Sequence, residues 1–105
     1  NPDLKGAVVA NEPTAIGMGR AIAQSGKAGK IVAIGFDGNT DLANFVKDGT
    51  LEGIVVQSAY NMGADGVRTI AKIIEGKKVE AVVDTGPVNV SKANIAKPEA
   101  TNVLY

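Results

Sequence analysis

The sequence predicts an α/β domain: a parallel sheet flanked by helices. Its apolar residues switch between two periods, near-continuous Val/Ile runs alternating with stretches of helical spacing. Glycine-bearing stop signals close each helical stretch, and the resulting order is βαβαβαβ. Right-handed crossovers then lay the strands side by side and put the helices on the faces.

The elements follow in order. Gly6 to Ala10 reads as the first strand, and a helix started by Pro13 carries Ala15, Met18, Gly19, Ile22 and Ala23 before stopping at Ser25-Gly26-Lys27. Ile31 to Phe36 is the second strand. A helix capped by Thr40 places Leu42, Phe45 and Val46 inward and ends at Lys47-Asp48-Gly49. Gly53 to Val56 is the third strand. These three runs are nearly continuous in apolar residues, the pattern of strands covered on both faces. A third helix, from about Tyr60 to Glu75, sets Gly63, Val67, Ile70, Ala71 and Ile74 on one face. The last strand falls within Ala81 to Val90, broken near Gly86-Pro87, and the tail from Ala96 to Tyr105 reads as irregular.

Composition narrows the chemistry. With 105 residues the chain fits one modest core, burying about two thirds of its unfolded surface. Eleven Lys and Arg balance 11 Asp and Glu, so there is no basic footprint for nucleic acid. The absence of His and Cys removes imidazole bases, thiol nucleophiles and the ligands of ordinary zinc and iron–sulfur sites. No cofactor is expected. Gly17-Met18-Gly19 falls inside a helix without a GxGxxG continuation, which makes it a packing feature. Asp37-Gly38-Asn39-Thr40-Asp41 opens like a calcium loop, but Leu42 stands where such a loop needs Gly and Asp48 where a bidentate Glu is usual. Glu12 and Asp37 could form an acid–base pair, yet no nucleophile, oxyanion donors or cofactor motif accompany them, so the reading is not an enzyme.

In an open parallel sheet, ligands bind beyond the carboxyl ends of the strands. The residues there are Asn11 after Val8-Val9-Ala10, Asp37 after Ile34-Gly35-Phe36, and Gln57 after Ile54-Val55-Val56. Two amides and a carboxylate present donors and acceptors together, and the carboxylate can take hydrogen bonds from two adjacent hydroxyls. The set suits a neutral polyhydroxy ligand. Taken singly, Asn11 also reads as a helix cap and Asp37-Gly38 as a turn, whereas Gln57 at the end of a buried strand needs a partner or water.

The chain carries, in order, the blocks Asn1-Pro2-Asp3-Leu4-Lys5-Gly6, Ala10-Asn11-Glu12-Pro13-Thr14-Ala15, Val32-Ala33-Ile34-Gly35-Phe36-Asp37-Gly38, Asp48-Gly49-Thr50-Leu51, Val56-Gln57, Tyr60-Asn61-Met62-Gly63 and Gly76-Lys77-Lys78-Val79. In their order and spacing these blocks resemble the ribose-type periplasmic sugar-binding proteins, the solute receptors of ABC importers. The resemblance implies an incomplete periplasmic-binding-protein type I lobe, with Asn11, Asp37 and Gln57 hydrogen-bonding a monosaccharide, a pentose such as ribose or a hexose. Glu12 departs from the family's more common Asn-Asp. The implied division gives residues 1–57 to the C-terminal sugar-binding lobe. Residues 58–80 form a hinge crossing and a helix of the N-terminal lobe, 81–95 the return strand to the C-terminal lobe and a hinge, and 96–105 an irregular tail. The partners it implies are the sugar, the membrane permease and the missing N-terminal lobe, in the periplasm or outside the cell. On this reading the chain is the later part of a larger protein, with weak or undetectable sugar affinity alone and self-association through Val67, Ile70 and Ile74. Two other readings are the effector domain of a lactose-repressor-type regulator and a truncated or designed single lobe without a ligand. Gly38 after Asp37, and the lack of Pro in Gln57-Ser58-Ala59-Tyr60, favour transport.

Overall fold

A computed structural model describes residues 1–105 in the element order β1 (Gly6–Val8), α1 (Glu12–Gln24), β2 (Val32–Phe36), α2 (Thr40–Asp48), β3 (Gly53–Val56), α3 (Ala59–Ile74), β4 (Val88–Ser91) and α4 (Pro98–Thr101). The sheet has four strands in the order β1-β2-β3-β4. The first three are parallel, as the alternation of strands and helices requires. The fourth departs from the all-parallel expectation: β4 pairs antiparallel to β3, with Ile54 opposite Val90 and Val56 opposite Val88. It returns from the end of the molecule to which α3 leads, so it enters the sheet at the carboxyl end of β3.

Local chemistry sets the boundaries. Asn11 caps α1 through its side-chain oxygen, which accepts from the Thr14 amide at 3.1 Å. The cap of α2 is Asn39, one residue before the expected Thr40, because its oxygen reaches the Leu42 amide at 3.0 Å. Gly49, at φ 88°, closes α2 in the left-handed conformation.

The alternation of strand side chains places Ala33, Ile54, Val56 and Val90 on one sheet face, and that face carries the core. Ala15 and Ile22 of α1 and Leu42, Ala43 and Val46 of α2 cover it, joined by Leu51, Ile95 and Ala100. Gly35 allows the close approach: a Cβ there would meet Ile54 Cγ2 at 2.9 Å and Ala15 Cβ at 3.4 Å. Of Gly17 and Gly19, only Gly19 has the expected packing role, lying under the Phe45 ring, while Gly17 faces open space.

The opposite face differs from the expectation of cover on both sides. Val8 is 77% exposed and Val32 59%. Helix α3 does not supply that cover; none of its residues is buried. It projects away, which gives a radius of gyration of 16.9 Å where a compact chain of this length has about 13 Å. The tail is also more ordered than expected. Pro98 starts the short helix α4, Ala100 is fully buried, and Val103 and Leu104 pack against the core.

Candidate functional site

The carboxyl ends of β1, β2 and β3 lie along one edge, and their loops carry the polar residues singled out by the sequence. Asp37 follows β2 with φ 69°, making it the one non-glycine residue with positive φ. Its amide donates to the Val55 carbonyl at 2.9 Å, so the sheet itself holds this conformation. Gln57 follows β3, and its Nε2 donates to Asp37 Oδ1 at 2.9 Å. The partner Gln57 requires is therefore the carboxylate one strand away.

Asn11 is placed on the same edge, but its oxygen is occupied as the α1 cap by the Thr14 amide and by the Thr14 hydroxyl at 2.5 Å. No hydrogen bond joins it to the Asp37–Gln57 pair. The geometry thus brings together two of the three candidates and holds the third nearby with its amide nitrogen free of protein partners.

Two further residues border the edge. Glu12, adjacent to Asn11, accepts from the Tyr105 hydroxyl at 2.7 Å, and the Tyr105 amide donates to the Gly38 carbonyl at 3.0 Å. The hydrogen bond to Glu12, with burial and the negative charges of Glu12 and Asp37, pushes the Tyr105 phenol up to about 12 from 10.0. Sequence reasoning put Tyr105 in an irregular tail. The available signal was Val103-Leu104-Tyr105, an apolar and aromatic run directly after a Pro-started turn.

The edge is open. The concave surfaces of the fold do not include Asn11, Asp37 or Gln57. The largest, about 540 Å³, lies beside the edge between the start of α3 and the strand returning from it, lined by residues that include Ser58, Asn61, Gly86 and Val88. Across it, Asn61 Nδ2 donates to the Thr85 carbonyl at 3.1 Å, tying the outgoing and returning segments together.

The sheet is covered on one face and carries two amides and a carboxylate at its parallel strand ends. The chain belongs to the periplasmic binding protein family: residues 1–78 match the model of the periplasmic binding protein domain. It is 37% identical over 81 residues to the ribose import binding protein of Salmonella typhimurium, covering 77% of this chain and 27% of that protein. Among solved structures, an ABC transporter solute-binding protein of Agrobacterium vitis with bound D-fucose is 68% identical with a TM-score of 0.90. The carbohydrate transporter solute-binding protein of Agrobacterium radiobacter, in complex with D-arabinose, is 40% identical with a TM-score of 0.89. All of this chain aligns with each, over 36% of their length. The ribose-type resemblance and the type I lobe read from the sequence are borne out. The chain spans about a quarter of the curated relatives it matches and about a third of the solved ones.

Proposed function

We propose that this chain forms the strand-end half of a sugar site in a solute-binding protein, which captures a monosaccharide outside the cytoplasm and delivers it to an ABC permease. The carrying observation is the Asp37–Gln57 pair: a carboxylate held at φ 69° and an amide aimed at it from the adjacent strand end, both on an open edge. An exposed hydrogen bond of this kind adds little to stability, whereas the carboxylate keeps acceptor capacity for ligand hydroxyls. Asn11 contributes its free amide nitrogen as a donor. The reaction is binding and release, without a chemical step.

Residues 1–57 with the return of β4 make one lobe, and α3 belongs to a second. In support, α3 is amphipathic, carries Gly63 and Gly66, and buries none of its residues, so intrinsic propensity and local packing do little to hold it. The Asn61–Thr85 bond then joins two hinge crossings. Closure of the second lobe over the edge would enclose the sugar, as hinge-closing binding proteins do.

Calorimetric titration of the full-length protein with a panel of aldopentoses, aldohexoses and 6-deoxyhexoses tests the reading. We expect saturable binding of at least one sugar, weakened roughly a hundredfold or more in Asp37→Ala, because the neighbouring polar groups lose a charged partner. Equal binding by Asp37→Ala overturns the assignment of Asp37.

A further inference from the structure

The stretch after α4 does something that the sugar-binding reading leaves unused. Ala100 is fully buried, and Leu104 seats against Gly38, where a Cβ would lie 2.9 Å from Leu104 Cδ2. From that seat Tyr105 makes two bonds to two different strand-end loops. Its amide holds the Gly38 carbonyl at 3.0 Å, in the loop after β2, and its hydroxyl holds Glu12 Oε2 at 2.7 Å, at the start of α1 after β1. Gly38 is the neighbour of Asp37, and Glu12 the neighbour of Asn11. One residue, through its backbone amide and its hydroxyl, therefore bridges the two loops that carry the first and second candidate ligand residues.

We propose that Tyr105 is a positioning residue of the sugar site, a clamp that fixes the spacing between Asn11 and Asp37. The inference rests on the sugar-binding reading above and adds a residue to it. A rigid ring presents its hydroxyls at fixed separations, so binding groups on separate loops must be held to within about 0.5 Å. β1 and β2 are joined by ladder bonds up to the Val9 amide and the Ile34 carbonyl, and beyond that point the loops have no direct hydrogen bond to one another. The Tyr105–Glu12 bond supplies the missing tie. Tyr105 as a whole residue is 66% exposed, so hydrophobic burial does not account for its placement.

The test uses the full-length protein, titrated calorimetrically with the sugar that binds best. Tyr105→Phe keeps the ring and the backbone bond and removes the hydroxyl; Glu12→Gln removes the charge that accepts it. Each is expected to weaken binding about fivefold, and the double variant no further than either alone, because both break one bond. The sugar-free melting temperature should fall only by the loss of one exposed hydrogen bond, and affinity is the deciding readout, since a merely structural role would lower the melting temperature in the same way and leave the affinity intact. Unchanged affinity in Tyr105→Phe, or losses that add in the double variant, overturns the clamp. Asp37→Ala separates the two ideas. If it weakens binding and Tyr105→Phe does not, the clamp alone fails. If no sugar binds, or Asp37→Ala binds as well as the unsubstituted protein, the strand-end reading fails and the clamp with it.

Discussion

At Asp37, local backbone preference and side-chain chemistry pull against each other. A positive φ is unfavourable for most L-residues, and Asp is among the few that enter it at modest cost. A glycine would serve the turn as well, so the carboxylate is the part of Asp37 that the turn does not require. The sequence marked this residue and Gln57 by position after their strands, and the hydrogen bond between them follows from the parallel pairing of Phe36 with Val55. Tyr105 was not legible in the same way. Its partners, Glu12 and Gly38, are brought to it by the fold, and no local pattern links residues 93 positions apart. Its raised pKa gives a direct check. The neutral phenol is favoured in the fold, so this contribution to stability is complete below pH 10.0 and disappears as the pH rises through about 12. Spectrophotometric titration, taken as the difference from Tyr105→Phe, should show this phenol ionising near pH 12 and returning toward 10.0 in Glu12→Gln. Ionisation at the ordinary value in the unsubstituted protein would remove the Glu12 contact.

The helices and strands were readable wherever local signals and burial agree. Helix α1 has its Asn11 cap, proline in its first turn and apolar spacing, and all point to the observed span. The antiparallel β4 was misread because periodicity reports burial, not direction, and an apolar run before Gly86-Pro87 shifted the expected strand toward the N-terminus. Cover on both sheet faces was over-read for a related reason. Apolar runs show that both faces avoid water, without showing which segment does the covering. The two glycines of α1 test the packing account. In Gly19→Ala the new Cβ would sit 2.5 Å from Phe45 Cδ2, so we expect a loss of about 1–3 kcal/mol despite the better helix propensity of alanine. Gly17→Ala meets no atom within 4 Å and should gain about 0.5–1 kcal/mol. Urea denaturation of both variants distinguishes them; equal shifts would mean that α1 and α2 do not pack at Gly19.

For the whole molecule, two apolar surfaces remain uncovered: the sheet face bearing Val8 and Val32, and the α3 face bearing Val67, Ile70 and Ile74. Apolar surface of this kind is normally covered by more protein. A 105-residue chain prepared alone should therefore self-associate in sedimentation experiments and show no measurable monosaccharide affinity, because an open edge encloses no ligand. A monomer at high concentration, or micromolar sugar binding by it, would contradict the two-lobe reading. The central claim is that the sugar is held at the strand ends, and a crystal structure of the full-length protein with its best-binding monosaccharide tests it most directly. The account predicts sugar hydroxyls within hydrogen-bond distance of the Asp37 carboxylate and the Gln57 amide, with the Tyr105–Glu12 bond intact beside them. A sugar bound elsewhere, with the Asp37–Gln57 edge in contact with solvent alone, would contradict it.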